Sequence, residues 1–118
     1  NMTAVTYNFT LEQGVPLSET VLLKNSDNSM RDLTGFTALM HLRQYPSSEV
    51  LLLELSSANS KIEINTATGA VTMIFSLDDT AALNYQTCSY DLFMLSGSST
   101  FRALVGKITV QPRVTRGI

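Results

Sequence analysis

The chain has 118 residues, 44% apolar and only 15% charged, with a formal net charge of −2 at pH 7. That length suits a single domain, residues 2–118, able to bury about two-thirds of its unfolded surface, and that composition is too apolar for a disordered chain. The eight Lys and Arg residues are scattered singly and form no stripe to neutralise a run of phosphates, so nucleic acid is not an expected partner. The longest apolar runs, residues 50–53 and 92–95, fall far short of the ~20 residues that cross a bilayer, so no membrane is expected either. Asn1 ahead of Met2 reads as a cloning remnant. No basic segment followed by an apolar run opens the chain, so synthesis in a cytoplasm is expected.

In chain order, Val5, Tyr7, Phe9 and Leu11 recur with period two against Thr6, Asn8, Thr10 and Glu12, the pattern of a half-buried strand. Gly14 and Pro16 interrupt it. A second alternation starts at Leu17 and runs through Val21 and Leu23, as at a sandwich edge where a proline blocks further pairing. Asn25-Ser26-Asp27-Asn28-Ser29 supplies loop chemistry. Phe36, Ala38, Met40 and Leu42 then form the core face of a central strand, with Thr37, Leu39, His41 and Arg43 on the other face. Leu39 there marks a surface that is not purely solvated. After a loop at residues 44–48, Leu51, Leu53 and Leu55 alternate with Leu52 and Glu54. Residues 56–60 turn into a short strand carrying Ile62 and Ile64, and Thr66-Ala67-Thr68-Gly69 makes a tight turn into Val71, Met73 and Phe75.

One helical signal follows. Ser76 offers an N-cap hydroxyl, Asp78 and Asp79 put carboxylates where the helix dipole favours them, and Ala81, Ala82 and Leu83 continue a short helix that Asn84 ends. Residues 87–95 and 101–110, joined by a Ser/Gly turn around Gly97, read as a β-hairpin. The parity of Phe101, Ala103 and Val105 does not continue to Ile108 and Val110, which predicts a bulge at Gly106. With no βαβ rhythm, the pattern predicts an all-β fold: an immunoglobulin-like β-sandwich of about 7–8 antiparallel strands with one short helical turn. Its expected core holds Phe36, Met40, Leu42, Ile62, Ile64, Val71, Met73, Phe75, Tyr90, Leu92 and Ile108. Tyr85 and Tyr90 are candidates to anchor the corner between the sheets through hydrogen bonds to backbone.

Catalytic chemistry finds little support in these residues. Cys88, the lone cysteine, has the parity of a buried strand residue, and a nucleophilic role would need a nearby base. His41, the lone histidine, sits between Met40 and Leu42 with no Gly-x-Ser-x-Gly elbow to serve. Those two residues are too few for a zinc site. Asp78 and Asp79 point apart on a helix and lack further acids at metal-loop spacing, so capping explains them better. Gly69 and Gly97 are turn glycines without a phosphate-loop pattern. The reading is of a non-enzyme without cofactor or metal. Sugar-binding sandwiches display exposed aromatics, and here Tyr45 beside Pro46 is the one ring placed to be exposed.

Three segments carry a family resemblance: Leu33-Thr34-Gly35-Phe36 with its alternating strand ending at Arg43; the Thr68-Gly69 turn, strand and Asp79-Thr80-Ala81-Ala82-Leu83; and Tyr90-Asp91-Leu92 through Pro112 to Val114-Thr115-Arg116. In this order and spacing the chain resembles a family of small tailed-bacteriophage virion proteins related to the N-terminal domain of baseplate and tail proteins. It departs from the family at the hairpin turn, where Ser96-Gly97-Ser98-Ser99-Thr100 replaces an acidic-glycine pair. The resemblance implies a non-enzymatic structural component of a phage tail, baseplate or neck, located in the virion, with other virion proteins or further copies of itself as partners. The candidate contact residues are Thr3, Val5 and Tyr7 of the N-terminal strand, Leu39, His41 and Arg43 of the central strand, and Arg113, Val114 and Arg116 of the tail. The alternative is a ligand-recognition module that binds host-surface carbohydrate.

Overall fold

The computed structural model describes residues 4–117. In order they form β1 (Val5–Thr6), β2 (Phe9–Glu12), β3 (Leu17–Leu22), β4 (Thr37–Arg43), β5 (Leu53–Ser56), β6 (Ile62–Asn65), β7 (Ala70–Phe75), α1 (Leu77–Ala81), β8 (Thr87–Leu95) and β9 (Thr100–Gln111). The larger sheet runs β9-β8-β4-β5, with β1 and β2 both lying along the free side of β9; the smaller runs β3-β7-β6.

Where alternation is cleanest, it passes directly into burial. Along β8, Cys88, Tyr90, Leu92 and Met94 are buried while the residues between them stay partly accessible. Strand β4 buries Ala38, Met40 and Leu42 in the same way, and β7 buries Val71, Met73 and Phe75. Inward side chains of both sheets join in one hydrophobic cluster. Each fully buried Leu, Met or Phe stabilises the fold by about 1.5–3 kcal/mol, which makes this cluster the main force holding the sheets face to face. Of the expected core, Phe36 and Ile64 are only half-buried. Ile64 lies on the edge strand β6, and Phe36 precedes β4 and rests edge-on against Phe101 at 5.5 Å.

The cap chemistry forms as read. The Ser76 hydroxyl accepts from the Asp79 N–H, and the Asp79 carboxylate accepts from the Ser76 N–H, a reciprocal capping box. The helix ends earlier than Asn84, with Ala82 as its C-cap. In the β6–β7 turn, Gly69 holds φ +72°, a left-handed conformation that favours glycine, and its N–H donates to the Asn65 carbonyl at 2.9 Å. The β8–β9 hairpin closes on a Ser96 N–H to Ser99 O bond of 2.7 Å.

Other expectations are corrected. Among the described residues there are nine strands rather than about seven or eight, and they are not all antiparallel: β1 and β2 run parallel to β9, with Val5 opposite Leu104 and Phe9 opposite Ile108. Alternation specifies which face a residue takes and says nothing of partner or direction, so the N-terminal strand's pairing was invisible to it. The same strand is broken at Tyr7 and Asn8, yet the register on β9 is unchanged across the break. There the Asn8 Oδ1 accepts the Lys107 N–H at 2.8 Å, a side chain replacing a backbone partner.

The bulge lies at Ala103 instead of Gly106. Leu92 pairs with Leu104 and Phe93 with Arg102, leaving Ala103 as the extra residue, and Ala103 and Leu104 are consecutively buried. Gly106 pairs regularly with Tyr90; its role is close approach, since a Cβ there would sit 2.2 Å from the Tyr7 carbonyl oxygen. Leu51, expected in a strand, lies before β5 and is 42% exposed.

Candidate interaction surfaces

Outward residues of three neighbouring strands assemble a polar cleft on the larger sheet. Because β4 alternates, His41 and Arg43 face away from the core, and register places His41 opposite Asp91 of β8 on one side and Glu54 of β5 on the other. On β9 the Ala103 bulge leaves Arg102 and Lys107 exposed, and Val105 stands opposite Asp91. The cleft between them has a volume of about 380 Å³, with Asn8, Pro46 and Ser89 also on its walls.

Hydrogen bonds order one end of it. An Arg43 guanidinium N–H reaches the His41 Nδ1 at 3.4 Å, and another donates to the Ser48 carbonyl at 3.2 Å, holding the loop after β4. A guanidinium only donates, so His41 Nδ1 accepts and its Nε2–H donates to Glu54 Oε1 at 3.0 Å, which selects the neutral Nε2–H tautomer. Among the described residues Asp91 pairs with Arg102 alone, at a loose 3.8 Å with both side chains well exposed. Arg43 and Lys107 make no ion pair with a carboxylate among the described residues.

A second surface lies where the two sheets' edges meet. The Tyr7 hydroxyl, beside β9, donates to the Glu19 carboxylate on β3, and the Tyr90 hydroxyl donates to the Tyr7 carbonyl at 2.6 Å. The hydrogen bond to Glu19, followed by burial and the carboxylate's charge, holds the Tyr7 phenol above its ordinary value, and burial raises that of Tyr90. Beyond this clasp opens a cleft of about 620 Å³ with Val5, Val21, Leu22, Leu23, Ala103 and Leu104 on its apolar side and Lys24, Asn25, Ser26 and Arg31 on its polar side. Val5 is 56% and Leu22 54% exposed at its mouth.

The sequence-predicted contact residues therefore divide. Leu39, His41 and Arg43 share one face, all half-buried, while Val5 and Tyr7 belong to the edge clasp. In the tail, the Arg113 N–H donates to the Gln13 Oε1 and its side chain packs over Gly14, while Val114 is 86% exposed and the Arg116 guanidinium donates to the Val114 carbonyl. Thr3 lies outside the described residues. Sequence reasoning missed Asp91, Arg102, Lys107 and Leu22. The available signal was a lone charge at an outward position of a largely apolar strand, as Asp91 is on β8.

Candidate reactive groups are kept apart or occupied. Cys88 faces the core, its thiol pushed up to about 11 by burial, whereas His41 faces outward on the same sheet, so the two cannot couple. Burial acts to raise the Asp79 carboxyl, but the Lys61 ammonium at 2.6 Å and the Ser76 cap outweigh it and hold the group below its ordinary value. Tyr85 is 41% exposed and anchors no corner; Tyr90 bonds backbone, but that of the N-terminal strand. Among the described residues no group of three His, Cys, Asp or Glu is placed to hold a metal ion, and no helix is long and apolar enough to cross a membrane. Compared with family models and with curated proteins, the chain matches none.

Proposed function

We propose that this domain is a non-enzymatic structural component of a tailed-phage virion, in its tail, baseplate or neck, joining other virion proteins or further copies of itself through protein–protein contacts. The scaffold we infer is an immunoglobulin-like sandwich. What supports that finer reading is connectivity: β9-β8-β4-β5 opposed to β3-β7-β6, α1 at the passage from β7 to β8, and the N-terminal strand laid beside β9.

The observation that carries the assembly reading is the cleft between β1 and β3. Among the described residues β3 is an edge strand with one side unpaired along all six residues, and exposed Val5 and Leu22 supply apolar surface to the opening beside it. An extended segment of a partner finds there both backbone groups to pair with and apolar surface to bury. The test is the double variant Val5→Lys, Leu22→Lys, compared with the native chain by light scattering and by binding to neighbouring virion proteins. Both side chains are already exposed, so the melting temperature should hold while association is lost. Association equal to that of the native chain would defeat the proposal.

A further inference from the structure

The polar cleft on the outer face of the larger sheet is separate from the edge cleft, and its donors are out of balance with its acceptors. Arg43, Arg102 and Lys107 line it against a single carboxylate, Asp91. A guanidinium has five N–H donors, and Arg43 uses two of them on Ser48 and His41. Among the described residues the Lys107 ammonium makes no ion pair, and the Asn8 amide, its oxygen engaged by the Lys107 N–H, has no acceptor for its NH₂ donors. This excess of positive charge stands on a chain whose net charge is −2. The complement of such a site is a ligand rich in acceptors and negatively charged.

Size and wall chemistry narrow the ligand further. A volume of about 380 Å³ lies at the small end of the roughly 300–1,000 Å³ typical of small-molecule sites, room for one or two sugar rings and too little for a folded partner. Neutral hydrogen-bonding groups at Thr6, Asn8 and Ser89 alternate with apolar surface at Pro46 and Val105, as the hydroxyls and C–H faces of a sugar require. We propose that this cleft binds an acidic saccharide, its carboxylate held by Arg102 and Lys107 and its ring lying against Val105 and Pro46. Arg43 is a positioning residue, since its bonds to Ser48 and His41 fix the loop that carries Pro46.

The experiment is a titration of the full chain with sodium glucuronate, followed by amide chemical shifts, with glucose and inorganic phosphate run in parallel. Glucuronate should shift the amides of Ser89, Arg102, Gly106 and Lys107 in a saturable way, glucose should leave them unmoved, and phosphate should bind at least about tenfold more weakly for want of a ring. Raising the ionic strength from about 0.05 to 0.3 M should weaken glucuronate binding, because the attraction is between exposed charges. The variant Arg102→Gln, Lys107→Gln changes two exposed side chains; it should keep the native amide spectrum outside the cleft and bind glucuronate at least about tenfold more weakly. The absence of glucuronate shifts, phosphate binding as tight as glucuronate, or undiminished binding by the variant would each overturn the proposal.

Discussion

Where β5 passes to β6, the two sheets are joined by chain and by backbone. The Lys61 N–H donates to the Ser56 carbonyl at 3.1 Å, and the Asn59 Oδ1 accepts the N–H groups of both Ser56 and Lys61. On the opposite side the chain crosses only at one end, from β2 to β3 through a turn held by a Val15 N–H to Glu12 carbonyl bond of 3.1 Å; farther along, where β1 faces β3, the Tyr7–Glu19 clasp joins the sheets with side chains, and a cleft of about 620 Å³ remains beside it. Backbone bonds of a connecting segment break only when the fold breaks, whereas a hydroxyl clasp can open alone. The difference is the reason we propose the open side as the partner surface.

The largest test of this contrast makes the same substitution on both sides. Leu55→Ala on β5 removes a side chain with no exposure and should cost about 2–5 kcal/mol in urea unfolding. Leu22→Ala on β3 removes one that is 54% exposed and should change stability by no more than about 0.5 kcal/mol. Comparable losses at the two positions would mean that the β3 edge is packed after all.

Next in size is the clasp itself, for which Tyr7→Phe should cost about 1–2 kcal/mol. Its pH signature is fixed in sign. The Tyr7 phenol is raised above the ordinary 10.0 in the folded protein, so its contribution is fully present below pH 10 and is lost as pH rises through the folded value. Stability measured from pH 8 upward should fall on the alkaline limb, and Tyr7→Phe should flatten that limb; Tyr90, also raised, supplies what remains. An unaltered alkaline limb in the variant would show that the clasp carries no energy.

The closed side should fail at the other end of the scale, by the smallest amount. Lys61, which leads from the β5–β6 turn, pairs with Asp79 of α1, whose carboxyl is held below the ordinary 3.8. That contribution is present above about pH 4 and is lost as pH falls through the folded value. Asp79→Asn should cost about 1 kcal/mol at pH 7, the same at pH 8, and reduce the acid dependence. Equal acid slopes in the two proteins would remove Asp79 from the account.

Much of this molecule was legible in its residues because short-range physics decides it. Period-two alternation assigned the inward faces of β4, β7 and β8, since a pleated strand sends successive side chains to opposite sides. Ser76 and Asp79 marked the start of α1, since a helix's unpaired N–H groups must find acceptors within a few residues. The edges and the polar cleft depended on long-range choices. Direction and partner of the N-terminal strand, the bulge at Ala103 that turns Leu104 inward, and the meeting of His41, Asp91 and Lys107 from three strands all require knowing which strands lie side by side. No spacing along the chain records that. Only packing the two apolar faces together determines it, and the candidate sites, built on what that packing leaves outside, are decided with it.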